Sequence, residues 1–71
     1  MKKGKKYIIT VEFHAKCIDN SSDLILDSGT IVEIDSVEKN TVIFFDTYHP
    51  NKKFSTTVRE FEEKSIQTNA K

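Results

Sequence analysis

The sequence predicts an all-β fold, a small antiparallel barrel of five strands with one short helical turn before the last strand. Three observations carry that expectation. The chain has 71 residues, enough for one core, since a second would need about fifty more. It holds five Val, eight Ile and seven Thr against two Ala, two Leu and one Met, so β-branched residues far outnumber the best helix formers. Apolar and polar residues alternate with a period of two through several short segments bounded by turn residues.

Residues 1 to 6 hold four lysines and a glycine, with nothing apolar after Met1, and read as a flexible basic tail. From Tyr7 to Cys17 the odd positions are Tyr7, Ile9, Val11, Phe13, Ala15 and Cys17, the strongest strand signal in the chain. Asp19-Asn20-Ser21-Ser22-Asp23 is turn-rich, and Leu24 with Leu26 then forms a short alternating piece ending at a tight turn around Gly29. Thr30 to Val37 places Val32 and Ile34 inward and leaves Ile31 in doubt. Glu38-Lys39-Asn40 reads as a hairpin loop with Asn40 at positive φ.

Thr41 to Thr47 follows with four apolar residues in a row, Val42 to Phe45. Such a strand has both faces buried, or offers one of them to a partner. Tyr48 to Lys53 contains the only proline, Pro50, and reads as the loop of a second hairpin. Lys53 to Val58 alternates again. Thr57-Val58-Arg59-Glu60 fits a capping box, and Phe61 stands three residues after Val58, which predicts a single helical turn. Ser65 to Thr68 is the closing strand, and 69–71 a polar tail. The folded domain is therefore expected to span 7–68. Strand, long loop, three hairpin-linked strands, helical turn and final strand is the order of an SH3-like barrel.

Eleven basic residues balance eleven acidic ones, which removes the overall positive charge common in nucleic-acid binders. The charge is nevertheless segregated. Residues 1–16 carry +4, residues 17–50 carry −6 and residues 51–71 carry +2. Neighbouring first and last strands would bring the basic ends together. The apolar runs are far shorter than the roughly 20 residues that span a bilayer. One cysteine, Cys17, cannot form an internal disulfide, and Glu12, His14 and Lys16 stand where a signal peptide needs an apolar run. A soluble domain in a reducing, cytoplasmic setting is the expectation, and a monomer.

The run Asp23 to Ile34, an apolar pair before a turn glycine and an alternating strand, looks like the entry to the second strand of SH3-type barrels. Over nearly the full length, from Tyr7-Ile8-Ile9-Thr10-Val11-Glu12-Phe13-His14 through Thr41-Val42-Ile43-Phe44-Phe45 to Phe61-Glu62-Glu63, the chain resembles the YorP family, small proteins of Bacillus and its temperate phages. The resemblance implies a five-stranded SH3-like barrel of phage or prophage origin in a bacterial cell. It implies no activity and carries over no functional residue.

Catalysis and cofactors find little support in the residues. His14, Cys17 and His49 stand at no metal-ligand spacing, and alternation points His14 away from Cys17. Two glycines leave no phosphate-cradling loop. The 20 Val, Ile, Leu and Phe residues are all needed for a core, with none to spare for a large pocket. No metal, no cofactor and no enzymatic activity are expected. Protein binding is the preferred function, with Phe44, Tyr48 and His49 as candidate contacts to a host or phage protein, unless the segment Ile18 to Asp27 covers the second face of the Val42–Phe45 strand. The alternative is nucleic-acid binding through Lys5, Lys6, Lys16, Lys52 and Lys53 on phosphates, weakened by the presence of a single arginine.

Overall fold

A computed structural model describes residues 1–19 and 22–68. The expected tail 69–71 and the loop residues 20–21 lie outside the described residues. The chain is mostly β, in the order β1 (Lys6–Ile9), β2 (Phe13–Cys17), β3 (Asp23–Leu26), β4 (Ile31–Glu38), β5 (Thr41–Asp46), β6 (His49–Thr57), α1 (Val58–Lys64) and β7 (Ser65–Gln67). All the strand pairs are antiparallel, and the sheet runs β3-β2-β6-β5-β4-β1-β7. It curls into a half-barrel. The described residues thus form seven strands where five were expected.

The difference arises at two places. The segment Tyr7–Cys17, expected as one strand, breaks at Thr10–Glu12. β1 pairs with β4 and β7, whereas β2 pairs with β3 and β6, toward the opposite end of the sheet. The chain must leave one set of neighbours to reach the other. At the crossing, Thr10 N–H donates to the Lys64 carbonyl at 2.8 Å and the Ser28 hydroxyl donates to the Thr10 carbonyl at 3.0 Å. Side-chain alternation survives the break, so Tyr7, Ile9, Phe13, Ala15 and Cys17 are all buried, but Val11 is exposed. The other added strand is β3, whose Leu24 and Leu26 the sequence marked as a short alternating piece.

Lys6, read as the end of the tail, opens β1 opposite Glu33. Gly4 N–H donates to the Ile34 carbonyl at 2.9 Å. In the β4–β5 turn the residue at positive φ is Lys39, at 49°, and not Asn40. The Asn40 carbonyl instead accepts the Val58 N–H at 2.7 Å, tying this turn to the start of α1. The helix has seven residues where a single turn was expected, with the Thr57 hydroxyl accepting Glu60 N–H at 3.1 Å as the capping box predicted. Ser65 closes it, its hydroxyl donating to the Phe61 carbonyl at 2.6 Å.

The core lies inside the curl. One register row runs Ile34, Phe44, Phe54, Cys17 across β4, β5, β6 and β2, and all four are buried. Phe44 sits at its centre, with ring centroids 6.4 Å from Phe13, 5.8 Å from Phe54 and 5.0 Å from Phe61. The α1 residue Phe61 is fully buried and packs its ring against Phe44 and Tyr7.

Candidate functional site: a groove at the β5–β6 tip

The second hairpin departs most from the sequence reading, and the departure builds a groove. β6 begins at His49, immediately after the Thr47-Tyr48 turn, so the expected loop 48–53 is mostly strand. Phe45 opposes Lys53 while Asp46 opposes His49, which leaves residues 50–52 as a bulge without partners on β5. Pro50 is tolerated there because its missing N–H interrupts no ladder. Asp46 fixes the tip. Its Oδ1 accepts Tyr48 N–H at 2.9 Å, and its Oδ2 lies 3.6 Å from Nδ1 of His49.

Opposite this tip runs β3, at the end of the sheet and, among the described residues, paired on one side only, with β2. Between them lies an open groove of about 480 Å³. Leu24, Ile25 and Leu26 form one wall. Tyr48, His49 and the 50–52 bulge form the other, with Phe54 between. Three large apolar side chains stand out into solvent around it: Leu24 is 39% exposed, Ile25 55% and Tyr48 80%. The arrangement is an apolar trough rimmed by Asp46, His49 and Lys52, suited to hold a ligand by contact area with a few polar contacts to orient it.

Of the residues expected to bind protein, Tyr48 and His49 lie together in this groove, and Phe44 does not. Phe44 is completely buried; its place in the inward row Ile34-Phe44-Phe54 makes it core. The outward pair of β5 is Ile43 and Phe45, each half-buried, with Phe45 between Glu33 and Lys53 in the register. Leu24 and Ile25 were missed as site residues. Their signal was present, since three consecutive apolar residues in a four-residue strand cannot all face a core.

Three of the five lysines expected to meet phosphates stand beside acids. Lys6 stands opposite Glu33 and Lys16 opposite Asp23 in the register, while Lys53 Nζ lies 3.3 Å from Asp35 Oδ1. Lys52 is on the groove wall, and Lys5, exposed, precedes β1. β1 and β6 are separated by β4 and β5 in the sheet, roughly 14 Å across three strand spacings. The first and last strands, β1 and β7, are direct neighbours as expected, but Lys52 and Lys53 on β6 stand apart from β1, with β4 and β5 between them.

Among the described residues, no three His, Cys, Asp or Glu side chains gather where they could hold a metal ion. Cys17 is buried, and His14 points to the other face of β2. No described helix is long and apolar enough to cross a membrane. Compared with known proteins, the chain matches no family model, no curated protein and no solved structure.

Proposed function

We propose that this protein is a non-enzymatic, SH3-like binding module of phage or prophage origin that recognises a host or phage protein inside the bacterial cell. The observation that carries the binding reading is the concentration of Leu24, Ile25 and Tyr48, the last 80% exposed, on the two walls of one groove. A tyrosine offers a large, stiff contact surface at low entropic cost, and such residues dominate binding energy at protein interfaces. The Asp46 carboxylate that holds the Tyr48 amide adds preorganisation, which spares part of the ordering cost of binding. For the SH3-like assignment, the support is the order of elements: β1, the β2–β3 arm, the β4–β5–β6 meander, a short helix and β7. The phage origin rests on the resemblance to the YorP family.

Selection of peptides from a random display library on the wild type and on Tyr48→Ala tests the reading. Peptides enriched on the wild type should be lost on the variant, with both proteins folded by circular dichroism. Equal enrichment on both would remove the groove, and saturable oligonucleotide binding at low salt without peptide enrichment would favour the nucleic-acid alternative.

A further inference from the structure

We infer that the groove takes its ligand by strand addition: an extended segment of a partner protein, with basic residues bracketing its apolar centre, pairs with the free edge of β3. This inference rests on the groove being the binding site and goes on to name the ligand's conformation and charge.

The geometry of β3 leads to it. Register with β2 places Leu24 and Leu26 on the face of Ala15 and Phe13, and Ile25 on the face of His14. All three nevertheless line the groove. What borders the groove is therefore the edge of the strand and not one of its faces. β3 has four residues and, among the described residues, pairs only with β2; since Cys17 N–H donates to the Ser22 carbonyl, the alternation turns the N–H and C=O groups of Asp23 and Ile25 away from the sheet. Natural edges are commonly blunted by lysine, proline or a bulge. The run Leu24-Ile25-Leu26 has no lysine or proline, and its register with β2 is unbroken.

Charge selects the occupant. Asp23 begins β3 and Asp27 follows it, so carboxylates bracket the apolar edge. A second copy of this chain is a poor fit. Antiparallel pairing of two β3 edges about Ile25 matches all three apolar residues, but it sets Asp23 of each copy opposite Asp27 of the other. Like charges directly opposite are destabilising. A segment with Lys or Arg at those two places and apolar residues between them turns both repulsions into attractions. The basic groups of the groove, Lys52 and His49, stand on the other wall, so the acidic edge belongs to β3.

The test uses the full chain, labelled with nitrogen-15, and three peptides built on Lys-Val-Ile-Val-Lys: the parent, a version N-methylated at alternate amides, and one with both lysines replaced by glutamate. The parent should shift the amides of β3 and protect that of Ile25, whose N–H faces away from β2. N-methylation should weaken binding about thirty-fold, the loss of two main-chain hydrogen bonds. The glutamate version should bind about five-fold more weakly or worse, with the difference shrinking as salt is added. Equal binding of the N-methylated peptide with shifts at Tyr48 and His49 would overturn strand addition and leave the groove standing. Absence of binding by all three at millimolar concentration would also overturn it, the display selection then deciding the groove by itself. Shifts in β3 that follow protein concentration alone, with a dimer in sedimentation, would assign the edge to a second copy and overturn the inference.

Discussion

The Asp46 carboxylate accepts the Tyr48 amide at 2.9 Å, two residues along the chain, and so orders the backbone of the turn that carries the most exposed aromatic residue of the protein onto the groove. An exposed hydrogen bond of this kind contributes on the order of 1 kcal/mol. Asp46→Ala should lower the melting temperature by about 5 °C and weaken every groove ligand. Asp46→Asn keeps an acceptor and should stay close to the wild type. Thermal melts and Tyr48 amide exchange read both.

Phe44 and Phe45 are neighbours in sequence with opposite fates. Phe44 is fully buried among three rings, whereas Phe45 is half-buried on the outer face. Phe44→Ala should cost about 4 kcal/mol, most of what a domain of this size holds at ~0.05–0.15 kcal/mol per residue. Phe45→Ala should cost about 1 kcal/mol, in keeping with its partial burial. Urea titrations of the two variants check the parity of β5, and equal losses would contradict it.

Thr57 caps α1 through its hydroxyl, which accepts Glu60 N–H. Thr57→Ala should destabilise the fold by about 1 kcal/mol, and Thr57→Asp should restore most of that. Because Asn40 and Val58 are hydrogen-bonded, the alanine variant should also speed amide exchange in the β4–β5 turn. Exchange measured by NMR would show whether the two ends move together.

Burial pushes the Tyr7 phenol above its ordinary value of 10.0, and the nearby Glu62 carboxylate pushes it in the same direction. Between the unfolded and the raised folded value, the unfolded phenol has given up its proton while the folded one keeps it. The unfolded state then binds fewer protons, so stability is complete below about pH 10 and falls as pH rises through the folded value. Chemical denaturation from pH 9 to 11.5 should show a steeper alkaline loss in the wild type than in Tyr7→Phe, since the phenylalanine variant lacks this proton.

Most of the secondary structure was legible, because a period of two needs only neighbouring residues to be read. The alternation of Tyr7 to Cys17 marked the inward side chains correctly except at Val11, and Thr57 with Glu60 announced the helix. The break at Thr10–Glu12 was not legible, since strand pattern is blind to which strands will be the neighbours. Pro50 misled for a related reason: proline argues for a loop, but a bulge at residues 50–52 removes the hydrogen bond that proline lacks. At the candidate site, Tyr48 and His49 stood out as polar-aromatic turn residues, while Leu24 and Ile25 read as ordinary strand.

Local chemistry in the sequence by itself determined an all-β chain with one core, the inward pair Val32 with Ile34, and the capped helix before the last strand. Four consecutive apolar residues in β5 did not determine which pair faces the core, because Val42 with Phe44 and Ile43 with Phe45 satisfy the same pattern. Only pairing to Ile34 and Phe54 across the sheet decided for Phe44. The charge segments were likewise a property of the chain, but their meeting was a property of the fold. Strand pairing set Lys6 opposite Glu33 and Lys53 beside Asp35, and the curl of the sheet brought β3 to face the β5–β6 tip. Contacts between residues distant in sequence depend on register and curvature, and neither is written in any local window of side chains.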